Sequence, residues 1–345
     1  MTVKKKFSHL GFSIIFYLAF SNLVSFIAVF IAMLVYALVT YLTVASAVPE
    51  YSGDARIELI LSIIDTFRNN TTLSNLITMI SGYFIAVPIS LLVLNNPKFR
   101  DVPLKGLQFF TPEEKAQKKT LSPAEFGSFL LFMFPLGIVG SLIGNLLALG
   151  MTAITGHTVN DVLTNTLTGL STPMVFILSV VMAPIFEEIM FRYAVIGYCK
   201  RFGEWNAIIV SALIFGLIHT NVFQFFYAFA LGIVFGYVFI YTGRLIYSII
   251  MHVTFNFFGA FVPILIDPEL SPSSMGSMVY SVIQYVVAII GLIMLILYVQ
   301  KGNLLENSPE APIQGKISKD ALLNPGMICL FIVCLILTVL FSFSM

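Results

Sequence analysis

The stretch APIFEEIMFR, residues 183–192, sits inside the apolar run 173–199 and places Glu187, Glu188 and Arg192 where a membrane-spanning helix meets least water. Charges in hydrocarbon are costly unless paired, wet or functional. Whether the run is a membrane helix depends on its surroundings. The 345-residue chain is 58% hydrophobic and 10% charged, with a mean hydropathy of +0.96. A soluble domain is nearer half apolar and a quarter charged. The apolar runs reach about twenty residues or more, the length needed to cross a bilayer. They are continuous rather than alternating, which argues against a β-barrel. The expected fold is an all-α polytopic membrane protein.

Nine candidate spans follow, at 12–46, 73–95, 127–151, 173–199, 204–220, 222–242, 244–265, 277–299 and 325–344. The first is too long for the core of a cleaved signal peptide and reads as a retained, tilted or protruding helix. Segments 57–67 and 159–168 read as short interfacial helices. Three regions result: 1–126, with two spans and a polar loop; 127–299, a membrane core; and 300–345, a polar connector with a final span. No repeat is visible. All but three of the 18 Lys and Arg residues fall in loops on one side, including Lys4, Lys98, Arg100, Lys105, Lys115, Lys200, Arg244 and Lys316. Basic loops stay cytoplasmic, so the N-terminus is expected inside and the C-terminus outside.

The net charge of +1 says little about partners, but no basic stripe suggests nucleic acid. The partner that the composition implies is the lipid bilayer. Cys199, Cys329 and Cys334 lack the spacing of a zinc site or disulfide framework and read as packing residues. The pairs Gly140/Gly144 and Gly232/Gly236 have the small-residue spacing that lets membrane helices approach closely.

Five ionisable side chains lie well inside the spans: Glu187, Glu188, Arg192, His219 and His252. All fall in spans four to seven. At 1.5 Å per residue, Glu187, His219 and His252 lie about 18, 22 and 12 Å from the basic side, with Asn256 at about 18 Å. These levels overlap within a core about 30 Å thick. Glu188 and Arg192, four residues apart, share a helical face and suit an ion pair. Glu187 points elsewhere with no built-in cation, and Pro184 loosens the helix beside it. His252 and Asn256 also share a face. A carboxylate with a histidine can deprotonate water; a histidine with an amide can stabilise an oxyanion.

The motifs E-E-x-x-x-R (Glu187–Arg192), F-x-x-x-H (Phe215–His219) and H-x-x-x-N (His252–Asn256) resemble, in order and each in its own helix, those of the CAAX-protease and bacteriocin-processing family, also called the Abi family. The resemblance covers about residues 120–265. It implies an intramembrane endopeptidase in which Glu187 and His219 activate water and His252 and Asn256 stabilise the oxyanion. Glu188, Arg192 and Phe215 match supporting positions. The phenylalanine-rich chain, with 33 Phe, fits a bacterial cell membrane. A metal-free mechanism is favoured, since no H-E-x-x-H occurs. Zinc on Glu187, His219 and His252 is the alternative. Two other functions compete: a non-catalytic membrane scaffold or immunity and regulatory protein, and a proton-coupled transporter using the same residues as a relay.

Overall fold

The structure is a computed structural model that describes residues 2–47, 53–96, 118–302 and 304–343. Lys98, Arg100, Lys105 and Lys115 lie outside the described residues. Among the described residues every regular element is helical. In chain order these are α1 (Val3–Ala47), α2 (Gly53–Asn69), α3 (Thr71–Leu94) and α4 (Pro123–Thr155), and α5 (Val162–Thr168). Then come α6 (Thr172–Phe202), α7 (Glu204–Leu217), α8 (Val222–Thr242), α9 (Leu245–Ile266) and α10 (Met275–Gln300). A short α11 (Lys319–Leu322) and α12 (Pro325–Ser342) complete the fold. Eight of these helices are long and apolar enough to cross a membrane. The protein is an integral, multi-pass helical membrane protein.

Span five departs from the nine-span expectation. Its helix, α7, has only 14 residues, about 21 Å at the α-helical rise. The apolar run continues to Ile218, but the helix stops at Leu217. Thr220 then adopts a left-handed conformation, φ 45°, which costs a β-branched residue roughly 1–2 kcal/mol. The turn delivers Asn221 as the cap of α8, its Oδ1 accepting from the Phe223 N–H at 3.0 Å. His219 is thus on a turn rather than inside a span.

The other helix ends are marked by the sequence. Ser122 and Glu125 form a reciprocal capping box at the start of α4, and Gly156 closes that helix at φ 73°. The glycine pairs work as expected. A Cβ on Gly140 would run into the Tyr227 backbone, and one on Gly144 would lie 2.8 Å from the Val222 carbonyl. A Cβ on Gly232 would lie 2.9 Å from Ala212 Cα. The central helix α8 therefore touches α4 and α7 almost backbone to backbone. Cys199 and Cys334 are packed inside, whereas Cys329 is exposed, contrary to the packing role expected for all three.

The connector before α12 is not a separate domain. It is tied to the α6–α7 turn: Trp205 Nε1–H donates to the Leu305 carbonyl at 2.7 Å, and the Ser308 N–H donates to Glu204 at 2.8 Å. At that same end α12 meets α1, where the Gly326 N–H donates to Ser8 Oγ at 3.0 Å.

Candidate active site

The helix carrying Glu187 is irregular. Within α6, the α-helical piece Ala183–Glu188 is flanked by π-helical turns at Val175–Met182 and Ile189–Ile196. Such widened turns rotate the following side chains off the ordinary helical face and recur at functional sites. Pro184 opens the short α-helical piece.

Glu188 and Arg192 form the ion pair that their spacing foretold, Oε2 to Nε at 3.2 Å, with neither side chain accessible. The Arg192 terminal nitrogens reach no acceptor among the described residues. Instead the guanidinium lies 4.4 Å from the Phe215 ring centroid and 5.3 Å from that of Phe235. Ring faces attract a desolvated cation by about 2 kcal/mol or more. Phe215 and Phe235 thereby form part of the cation's binding surface.

The other Glu188 oxygen makes a link absent from the sequence reading. His252 Nδ1–H donates to Glu188 Oε1 at 3.0 Å. This bond fixes the imidazole and turns His252 Nε2 toward Glu187, 3.7 Å from its Oε2. The His252 ring stacks on Phe235 at 5.1 Å and meets Phe215 edge-on at 5.7 Å. His219 touches the same phenylalanine edge-on at 4.9 Å. Phe215 therefore separates the two histidines and roofs the arginine.

His219 Nδ1–H donates to the Phe215 carbonyl at 2.6 Å, leaving Nε2 for the cavity it lines. Asn256 donates one N–H to the Ser179 carbonyl at 2.7 Å, and the second remains available. That partner was not legible beforehand. Glu187, His219, His252 and Asn256 line one cavity of about 770 Å³, together with Tyr83, Gln224 and Tyr227. Glu188 and Arg192 are sealed beneath it. Glu187 keeps 21% of its side chain accessible, against none for Glu188.

The residues bear on metal binding in two opposite ways. Both histidines give Nδ1–H to an oxygen, as zinc-bound histidines commonly do. Yet among the described residues no three His, Cys, Asp or Glu side chains are grouped to hold one ion.

Residues 169–258, from the start of α6 into α9, match a family model described as type II CAAX prenyl endopeptidase Rce1-like. The "Putative membrane peptidase YdiL" of Bacillus subtilis (strain 168) is 27% identical over 131 residues, 38% of this chain and 51% of that protein. The chain thus spans about half the length of that relative. The UPF0177 protein YbdI of Lactococcus lactis subsp. lactis (strain IL1403) is 36% identical over 135 residues, covering 37% of this chain and 72% of YbdI. The chain belongs to the CAAX-protease and bacteriocin-processing family. No solved structure gives a significant match. The family-model match covers all three motifs, whereas α1–α5 and α10–α12 lie outside it.

Proposed function

We propose that the protein is an intramembrane endopeptidase that hydrolyses a peptide bond in a membrane-associated peptide or protein. The observation carrying this reading is the pairing of neighbours in α6. Glu188 is committed to Arg192 and His252, while Glu187 is left with its carboxylate in the cavity beside His219 and His252.

In the proposed reaction a water between Glu187 and His219 attacks the scissile carbonyl carbon, and Glu187 takes its proton. The carbonyl π electrons move onto oxygen. In its protonated form His252, with Nδ1–H on Glu188, directs Nε2–H at that oxyanion, and the free Asn256 N–H assists. Collapse of the tetrahedral intermediate breaks the C–N bond, and the proton on Glu187 passes to the departing amine. Water is the only co-reactant.

The basic residues support a cytoplasmic N-terminus. Comparison of membrane-peptide termini in cells with matched levels of wild type, Glu187→Gln or His252→Ala tests the proposal. A terminus made only by wild type is expected. Identical termini in all three, with both variants still rescuing a null phenotype, would replace proteolysis by a scaffold role.

A further inference from the structure

The cavity extends to the side of the bundle flanked by α4 and α10. Near the basic end these helices are in contact. A Cβ on Gly291 would run into the Leu131 carbonyl and lie 3.1 Å from Pro135 Cδ. Toward the opposite end, both helices line the cavity instead, α4 from Phe134 to Asn145 and α10 from Ser277 to Tyr285. The back wall is α9, whose Phe258 faces Phe134 at 6.1 Å. Leu142 and Tyr285, on the two flanks, are each 56% exposed, and Asn145 and Ser281 are exposed as well. By contrast, Leu167 of α5, at the inner end of the same cavity, is buried.

Flanks facing lipid should be apolar, and these carry amides and hydroxyls. Asn145 gives an N–H to the Ser141 carbonyl at 2.8 Å. Gln284 gives one to the Phe258 carbonyl at 3.2 Å. Each bond consumes a donor and leaves the amide oxygen as an acceptor. Acyl chains have no donor to offer such oxygens. An unwound stretch of membrane polypeptide does, because leaving the helix strands its backbone N–H groups. Peptide hydrolysis demands that unwinding, since a helical carbonyl is hydrogen-bonded and shielded by side chains.

We infer that the α4–α10 wedge is a substrate-binding site that admits an unwound segment of a membrane-embedded polypeptide sideways from the bilayer, with Asn145 and Gln284 accepting from its backbone N–H groups. This rests on reading the cavity as a peptidase site. Each lost acceptor weakens substrate binding about tenfold, the equivalent of roughly 1.4 kcal/mol, and leaves the chemical step unchanged.

The test is photo-crosslinking in liposomes, using the cleavage-dead Glu187→Gln protein with a benzophenone amino acid at Leu142 or Ser281, which leaves both amide acceptors in place. The probe is a synthetic 24-residue alanine–leucine span with a central Gly-Pro-Gly break. Controls are the unbroken span and a soluble octapeptide containing the break. Cross-links to the broken span at both positions, at least fivefold above the unbroken span and absent at exposed Leu149 of α4, are expected. Preferential cross-linking at Thr166 and Gln224, equal capture of the octapeptide, or no cross-link anywhere would overturn the wedge as the entrance. In the same assay Asn145→Leu and Gln284→Leu should each reduce capture about tenfold. Because the protein is cleavage-dead, these results stand apart from proteolysis, which fails only if wild type generates no new terminus in cells.

Discussion

On the floor of the cavity, Glu188, Arg192 and His252 are bound to one another and pressed against Phe215 and Phe235. At its wall, Glu187, His219 and Asn256 each keep a polar atom turned to open space. The two sets use the same residue types at neighbouring positions, and Glu187 and Glu188 are consecutive. What separates them is the number of partners. Glu188 has a cation on one oxygen and an imidazole on the other, whereas among the described residues Glu187 pairs with the more distant His252 Nε2. Glu187 keeps 21% of its side chain accessible in the cavity, whereas Glu188 keeps none. On the proposed reading Glu188 and Arg192 hold the floor, His252 links it to the cavity it also lines, and Glu187, His219 and Asn256 are left for chemistry.

Arg192→Ala attacks the floor and should have the largest effect on folding. It leaves Glu188 buried and uncompensated, a loss of about 3–5 kcal/mol, seen as collapse of the folded peak in size-exclusion chromatography. Arg192→Lys sharpens the assignment. The charge survives but the flat contact with Phe215 at 4.4 Å does not, so a loss of about 1–2 kcal/mol is expected in thermal unfolding. Next comes the helix contact supporting the site. Gly140→Ala forces α4 from α8 and should cost about 1–3 kcal/mol, lowering Tm without changing the residues of the cavity wall. Cys329→Ser, at an exposed position on α12, should stay within about 0.5 kcal/mol of wild type. A large loss there would mean that the lipid-facing periphery is as constrained as the core.

Much of the floor was legible in the sequence because it is local. The Glu188–Arg192 pair follows from i,i+4 spacing, and the close approach of α8 follows from Gly140, Gly144 and Gly232. The apolar runs gave the polytopic class for the same reason. The Glu188–His252 bond joins residues 64 apart, and no helical period encodes it. The end of α7 at Leu217 was also hidden, since Ile218 continues the apolar run and Thr220 carries no ordinary signal for left-handed backbone. The Asn256–Ser179 contact depends on π-turns in α6 that shift which residues face α9. The wedge between α4 and α10 arises from where two helices part, which residue type alone does not record.

The central claim is that Glu187 does chemistry while its neighbour holds the fold. The most direct measurement reconstitutes purified wild type and Glu187→Gln in liposomes at equal folded amounts and follows cleavage of a membrane peptide whose new terminus depends on wild type in cells. Loss of turnover by roughly 100- to 10,000-fold, with thermal unfolding unchanged, is the expected result. Equal turnover in the two proteins, or unfolding of Glu187→Gln as severe as that of Arg192→Ala, would contradict the division between floor and wall.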